Sequence, residues 1–383
     1  MSAHRMPTNS IKILHFIYDY VENPWFGGGG SVRTLKIYKE LVQKGILNFQ
    51  VDVVIGNYPG ANHKLISKRI RICPVGIPSR VPLVSVISYT LFSYIIFFTR
   101  RKYYDIVIND FCPYMPLILW GINVIYSIQN YFGIKTLKRY LLFGVIPFIA
   151  EKMAIKFGRK FIAVSHYLQQ VISQLNQKAH VLLIPNGIDD YYLKIKRRER
   201  DYILYIGRID IYQKGLDILL KAFSLYTKKY PWITLIIAGK GKDFNKLRKL
   251  VNEFCINSER IKILGYVNEA TKIDLLKGCL FAVFPSRFES FPITALEAEA
   301  IGAPVIATHI PGLKEIVVNG QTGILVSPND YRILFMQMCY LTDNTKERER
   351  LSLNAKNFAK NYTWKKVAET FKCSLLGCIK GEI

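Results

Sequence analysis

Short apolar runs alternate with longer, helix-length stretches along the whole chain. "KILHFIY" (12–18), "VDVVIG" (51–56), "YDIVIND" (104–110), "NVIYSIQ" (123–129), "KFIAVS" (160–165) and "VLLIPNG" (181–187) have the length and β-branched content of buried strands. Between them, 31–44 and 146–158 have helical length. After a charged stretch, "LKIKRRERDY" (193–202), the rhythm restarts. "YILYIGR" (202–208), "WITLIIAG" (232–239), "IKILGY" (261–266), "CLFAVFPS" (279–286), "PVIATH" (304–309) and "TGILVSP" (322–328) read as strands, with helices over 215–229, 243–254, 269–277 and 292–301. Buried strands separated by helices are the pattern of parallel α/β sheets. The expectation is an α/β protein of two doubly wound, Rossmann-like domains, 1–190 and 191–361, facing a central cleft where ligands of such sheets bind. Residues after 330 read as helices, and Trp364 reads as a core or docking anchor.

The segment 82–102 breaks the pattern, because its run from Leu83 to Phe98 carries no charge. It is short of the roughly 20 residues of a membrane span. The first reading is a buried helix between two strands. A second is an apolar surface that touches a membrane, with Arg100, Arg101 and Lys102 at the lipid headgroups. A span is the third.

Composition adds charge and compartment to this picture. A chain of 383 residues fits two cores better than one. The formal net charge is +25, which favours phosphorylated molecules, nucleic acid or an anionic membrane. Basic clusters lie in both halves rather than in one stripe, which argues against a nucleic-acid partner. Seven cysteines without CxxC spacing suit a reducing compartment, and no signal-peptide pattern precedes the first strand, so a cytoplasmic location is expected.

Four stretches carry candidate chemistry. In "WFGGGGSVRT" (25–34), Gly27, Gly28, Gly29 and Gly30 lie between a strand and a helix, where glycines let a ligand approach the backbone and helical N–H groups favour anions; a plain surface loop is the other reading. In "YIGRIDIYQKGLD" (205–217) a strand ends at Gly207, and Arg208 and Lys214 follow as a basic pair suited to phosphates or to solvent. In "IIAGKGKD" (236–243), Gly239 and Gly241 suit a tight strand-to-loop turn. In "RFESFPITALE" (287–297), Glu289 sits in a loop and Glu297 on the following helix, and each carboxylate can accept two hydroxyls of a diol. The first N–H groups of that helix, near Pro292, Ile293 and Thr294, suit a phosphate. Either acid could equally be a solvated helix acid, for which Glu299 serves as the example.

In order, "FGGGGSVR", "FIAVSHYLQQ", "VLLIPNGID", "YIGRIDIYQKGLD", "LIIAGKG", "IKILGYV", "VFPSRFESFPITALEAEAIGAPVIAT" and "LKEIVVNGQTGILV" resemble the family-4 (GT4) retaining, nucleotide-sugar-dependent glycosyltransferases, which have the two-domain GT-B fold. The resemblance runs over about 12–328 and is stronger in the second half. It implies that Glu289 faces the donor sugar, Glu297 the nucleotide ribose, and Arg208 and Lys214 the donor diphosphate. It implies that Phe291 to Thr294 turn beside the distal phosphate, that the loop Gly27–Gly30 closes over the donor, and that a last helix, about 362–383, packs on the first domain. It also implies no bound cofactor and no metal, and the six histidines form no ligand-spaced cluster. "GIDDYY" (187–192) falls in the family's usual turn after a strand.

Many members place a histidine where this chain has Gln129, with Asn130 as the neighbouring candidate. Gln129 can donate a hydrogen bond but carries no proton at neutral pH. His15 and His166 read as packed or rim residues. The expected reaction moves a sugar from a nucleoside diphosphate to an acceptor hydroxyl. The acceptor would be a glycan, a lipid-linked sugar or a small molecule, with cell-surface polysaccharide or glycolipid synthesis as the setting. The alternatives are another nucleotide-sugar enzyme of this fold, such as an epimerase, or a basic nucleic-acid-binding protein.

Overall fold

The structure is a computed structural model that describes residues 10–18, 20, 29–43, 48–112, 117–121, 123–133, 144–254 and 256–381. The chain divides into two compact units, 1–186 with 364–383, and 187–363.

The first unit holds an eight-stranded sheet. Its strands are β1 (Ile11–Phe16), β2 (Phe49–Gly56), β3 (Lys64–Ser67), β4 (Ile70–Val75), β5 (Ile106–Phe111), β6 (Val124–Ile128), β7 (Lys160–Ala163) and β8 (His180–Leu183), in the spatial order β3-β4-β2-β1-β5-β6-β7-β8. All pairings are parallel except β3 with β4. The β3–β4 hairpin is absent from the apolar rhythm because β3 is an exposed edge and its turn is "KR", the charged protection that edge strands need.

From β1 to β2 the chain moves one way along the sheet through helix Gly29–Gln43. From β4 to β5 and from β6 to β7 it moves the other way, through helices Pro82–Arg100 and Val145–Phe157. Right-handed crossovers therefore put the last two helices on one face and Gly29–Gln43 on the other. Helix Trp364–Lys380 packs on that opposite face. Trp364 is buried, Phe371 meets the Tyr38 ring edge-on at 5.9 Å, and Lys160 Nζ donates to the Cys378 carbonyl oxygen at 3.3 Å.

Helix Pro82–Arg100 corrects the expectation of a buried helix. Only Ser85, Ser88, Tyr89, Ser93 and Phe97 are buried. The small serines let the helix lie close to the sheet, and the large apolar side chains are left outside.

The second unit holds a six-stranded, fully parallel sheet in the order β11-β10-β9-β12-β13-β14. Its strands are β9 (Tyr202–Ile206), β10 (Thr234–Ala238), β11 (Ile261–Gly265), β12 (Ala282–Phe284), β13 (Val305–Thr308) and β14 (Gly323–Val326). Its core joins Ile203, Tyr205, Phe223, Leu235, Phe281, Ile306 and their neighbours. All six strands lie inside the apolar runs read from the sequence; β9, β12 and β13 are buried on both faces and leave an uninterrupted apolar signature, whereas β11 alternates between buried and exposed positions.

Candidate functional site

The second unit gathers its polar groups at the carboxyl ends of β9, β10 and β12. After β9 the chain turns at Gly207, and the buried Tyr205 hydroxyl donates to the Arg208 carbonyl oxygen at 2.8 Å, fixing the turn. A one-turn helix, Ile211–Lys214, is capped by Asp210, which accepts from the Gln213 N–H at 3.0 Å. The Arg208 guanidinium donates to Gln213 Oε1 at 2.8 Å, so the arginine is tethered to the residue that precedes Lys214.

Gly215 then adopts a left-handed φ of 64°, and a Cβ there would lie 1.9 Å from the Pro285 carbonyl oxygen. This close approach seats the Lys214 turn on the loop after β12. The Arg287 N–H donates to the Gln213 carbonyl at 2.9 Å, and the Arg287 guanidinium is bidentate to Asp217 at 2.8 Å. Thus docked, Lys214 Nζ forms a tight, mostly buried ion pair with Glu289 Oε1, which also accepts from Ser286 Oγ at 3.0 Å. From the far side, Gly312 supports the Glu289 backbone; a Cβ on Gly312 would lie 2.3 Å from the Glu289 carbonyl oxygen.

Gly239 and Gly241 have a related role. A Cβ on Gly239 would lie 1.8 Å from the Gly207 oxygen, and one on Gly241 2.1 Å from the Ile209 oxygen. These glycines let the loop after β10 press against the Arg208 loop.

Helix Ile293–Ile301 starts one residue later than its sequence pattern suggests. Pro292 is the N-cap, with no side-chain cap bond. Pro292 and Phe291 are buried, the latter with its ring against Tyr362, whereas Ile293 and Thr294 are half exposed, so the open end of the helix reaches the surface. One turn on, the buried Glu297 accepts from Lys272 Nζ at 2.7 Å, while Oε2 is buried and makes no hydrogen bond among the described residues. Burial pushes the Glu297 carboxyl above the usual range, against the pull of Lys272. Lys272 also meets Glu269 at 3.0 Å and lies over the Tyr192 ring; burial pulls its pKa down, but Glu297 and Glu269 outweigh it and raise the pKa. Glu299 overturns the reading as a solvated acid. It is fully buried, accepts from Thr322 Oγ1 at 2.7 Å, and is pushed well up by burial. A helix turned inward on nearly every side leaves no solvated face.

In the first unit, Gly27 and Gly28 lie outside the described residues, and Gly29 and Gly30 begin helix Gly29–Gln43. The Gly30 Cα lies beside Gln129, where a Cβ would be 3.7 Å from Cγ; Asn130 is exposed. Gln129 Nε2 donates to Ser127 Oγ at 3.3 Å. Beneath this contact runs a buried network: Thr34 Oγ1 donates to Asp110 at 2.9 Å, His15 Nε2 lies 3.3 Å from the same carboxylate, and His15 Nδ1 is 2.8 Å from the Tyr38 hydroxyl. Although burial pushes the other way, His15, Ser127 and Arg33 hold the Asp110 carboxyl below its usual range. Arg33 is buried, donates to the Ile184 carbonyl at 2.7 Å, and is pulled down to about 10 by burial. The loop after Gln129 is anchored by Glu151, which accepts from the N–H groups of Phe132 and Gly133 at 3.0 and 2.6 Å.

Sequence reasoning missed Gln213, Ser286, Lys272, Asp110 and Glu151: the partners of Lys272, Asp110 and Glu151 are distant in the chain, and Gln213 and Ser286 meet Arg208 and Glu289 only through the folded shape of their loops. Gly215 in "QKGLD" and Gly312 in "IPGLK" were not singled out either, although a glycine in such a turn is the one signal that could have marked where these loops meet. Among the described residues no group of three or more His, Cys, Asp or Glu side chains is placed to hold a metal.

Residues 27–191 match the family described as Glycosyltransferase Family 4, and residues 194–358 the family described as Glycosyl transferases group 1. An uncharacterized glycosyltransferase of Methanocaldococcus jannaschii is 33% identical over 217 residues, covering 56% of this chain and 58% of that protein. The capsular polysaccharide biosynthesis glycosyltransferase CapM of Staphylococcus aureus is 25% identical over 254 residues, 62% of this chain and 65% of that one. The chain thus spans less than two thirds of the length of these curated relatives. Among solved structures, sucrose-phosphate synthase of Thermosynechococcus elongatus superposes with a TM-score of 0.80 at 16% identity, covering 97% of this chain and 100% of that one. HepE of Anabaena, solved with UDP and glucose, gives 0.73 at 18%, covering 96% and 99%. With two parallel-sheet units and family matches that between them run from residue 27 to residue 358, the chain belongs to the family-4 type of glycosyltransferases with the GT-B fold.

Proposed function

We propose that the chain is a retaining glycosyltransferase that moves a sugar from a nucleoside-diphosphate sugar to an acceptor hydroxyl. The observation that carries this reading is the pairing of Lys214 with Glu289, beside the tethered Arg208 and one turn ahead of an uncapped helix N-terminus. Cationic groups and helical N–H groups suit a diphosphate, and carboxylates suit sugar hydroxyls.

In this reading Lys214 exchanges its carboxylate partner for a phosphate oxygen, and Arg208 takes a second. The N–H groups of Ile293 and Thr294 meet the distal phosphate. Glu289 accepts from hydroxyls of the donor sugar, and Glu297 offers Oε2 to the ribose diol, while Lys272 holds its other oxygen. Gln129, beside Gly30, offers an N–H to the donor sugar. The bond from the anomeric carbon to the diphosphate breaks as the acceptor oxygen bonds on the same face, and the acceptor proton passes to the departing phosphate oxygen. Arg208 and Lys214 accelerate the step by favouring the separated diphosphate over the intact donor. They supply the positive charge that a metal would otherwise bring, so the reaction is metal-independent.

The acceptor is a growing glycan or lipid-linked sugar of a cell-surface polysaccharide, handled on the cytoplasmic side. A relative named for capsular polysaccharide biosynthesis supports this choice, and a neighbour solved with UDP and glucose supports the nucleoside-diphosphate donor. The test is calorimetric titration of nucleoside diphosphates, followed by a donor screen for product formation with membrane lipid extract as acceptor. At least one diphosphate should bind, and turnover should survive a chelator. Unchanged binding after Arg208→Ala with Lys214→Ala places the phosphates elsewhere and removes the assignment.

A further inference from the structure

A surface helix ordinarily turns its apolar stripe inward and its polar face to water. Helix Pro82–Arg100 does the reverse. Ser85, Ser88 and Ser93 face the sheet, while Leu83, Ile87, Leu91 and Ile95, spaced four apart on one side, are 67%, 51%, 59% and 57% exposed. Val84, Phe92 and Phe98 widen this stripe, and Trp120 meets Phe98 at 5.6 Å. Helix Val145–Phe157, on the same face of the sheet by crossover handedness, also leaves Ile146, Ile149, Met153 and Phe157 exposed. Large apolar side chains exposed in a row along one helix side mark an interaction surface.

The exposed charges carried by these two helices have one sign, and the nearest acids lie beyond the helix end, Asp52 held by Tyr104 and Arg71 and Asp105 exposed after the basic run. Segment 82–102 has no acidic residue and ends in Arg100, Arg101 and Lys102, all exposed; Lys152 and Lys156 are exposed on the second helix. The single acid of that helix, Glu151, is turned inward onto the Phe132 and Gly133 N–H groups. Lys152 lies over the half-buried Phe148 ring at 4.7 Å, an aromatic body beneath a cationic tip as at a lipid–water boundary, and Arg101 lies over the buried Phe97 ring at 5.1 Å. Beside the helix end, a pocket of about 450 Å³ sets Arg101 and Lys102 around Phe97, Tyr104 and Trp120.

We infer that this face is a docking surface for an anionic lipid bilayer, with helix Pro82–Arg100 lying in the plane of the interface and the pocket taking a headgroup phosphate. The helix is long and apolar enough to cross a membrane, but it is pinned to the sheet. Tyr18 donates to Ser85 Oγ at 3.1 Å, the Ile77 N–H donates to Ser88 Oγ at 3.0 Å, and the Ile118 N–H donates to the Tyr94 hydroxyl at 2.9 Å. Crossing would strip these bonds and uncover Tyr89 and Phe97. The surface stands independently of the donor chemistry, and it would bring a lipid-linked acceptor to the enzyme.

The test is cosedimentation of the full chain, without donor or acceptor, with vesicles of phosphatidylcholine alone or mixed with phosphatidylglycerol. Binding should require the anionic lipid, weaken with salt, and be reversed by alkaline carbonate. Leu91→Glu with Ile95→Glu, at exposed positions and with an unchanged melting curve, should weaken it by about tenfold or more, and Arg100→Ala, Arg101→Ala and Lys102→Ala together should remove most of its salt dependence. Failure to sediment with anionic vesicles, or equal binding by the Glu variant, overturns the proposal. So does a dimer in light scattering that the Glu variant splits without any change in vesicle binding, which would assign the face to a second copy. Resistance to carbonate extraction would show a span and overturn it as well. None of these outcomes bears on nucleoside-diphosphate binding, so the two readings fail separately.

Discussion

Lys214 and Glu289, 75 positions apart in the chain, form one ion pair because Gly215 lets the turn after β9 rest on the loop after β12. The pair joins the group suited to a phosphate with the group suited to a sugar hydroxyl. Their substitutions should therefore separate. Lys214→Ala should weaken nucleoside-diphosphate affinity by about tenfold to a hundredfold, the scale of one charge-assisted hydrogen bond. Glu289→Ala should leave that affinity within a few-fold and lower kcat by about 10²–10³. Calorimetry with the diphosphate alone and steady-state kinetics with the donor distinguish them. Equal effects of both variants on both quantities would show that the pair only holds the loops together.

Gly215→Ala tests the docking itself. The new methyl group would meet the Pro285 oxygen in a backbone conformation that costs alanine strain. A loss of about 2 kcal/mol or more in urea unfolding is expected, with a larger loss of turnover than of stability alone would give at the assay temperature. Wild-type stability and rate would mean that the two loops move apart freely.

Lys272 and Glu297 form a second, largely buried pair. Lys272→Met leaves a buried carboxylate without its cation and should cost about 3 kcal/mol. Adding Glu297→Gln should restore most of that stability while leaving nucleotide binding impaired. Additive losses in the double variant would show that the pair is not coupled.

Glu299 predicts a pH dependence of stability. Burial raises its carboxyl well above the ordinary value of 4.5. The folded state then holds the proton more tightly than the unfolded state. The contribution is complete below about pH 4.5 and is lost as pH rises through the folded value. Glu299→Gln, which stays neutral, should flatten the fall in melting temperature over that window. An unchanged pH profile would show that Glu299 ionises normally.

Gln129 lies against the first turn of the glycine helix, whereas Asn130 is exposed. Gln129→Ala should reduce turnover by about tenfold and Asn130→Ala by much less, about the scale of one neutral hydrogen bond. The reverse ranking, read from initial rates at saturating donor, would move the contact by one residue.

Much of this was legible in advance, for identifiable reasons. The strands of both sheets, other than the β3–β4 hairpin, announced themselves as apolar runs, most of them because both faces are covered, while β8 and β11 keep apolar residues though partly exposed. β3, a half-exposed edge beside the basic turn of Lys68 and Arg69, has no such run. Arg208, Lys214, Glu289 and Glu297 could be singled out by type and spacing. Glu299 could not be told from a solvated acid, since its burial depends on what surrounds the helix, and helix Pro82–Arg100 could not be told from a core helix, since composition does not say which side faces the sheet.

The sequence by itself determined the order of the elements and the chemical kinds of group at their ends, because backbone periodicity and side-chain chemistry are local properties. Only the tertiary structure decided that Lys214 meets Glu289, that Lys272 meets Glu297, that Gly239 serves the approach of two loops, and that serines rather than leucines line the inner side of Pro82–Arg100. Each of those outcomes rests on contact between segments far apart in the chain, where close packing and the cost of an unpaired buried charge select one partner among many.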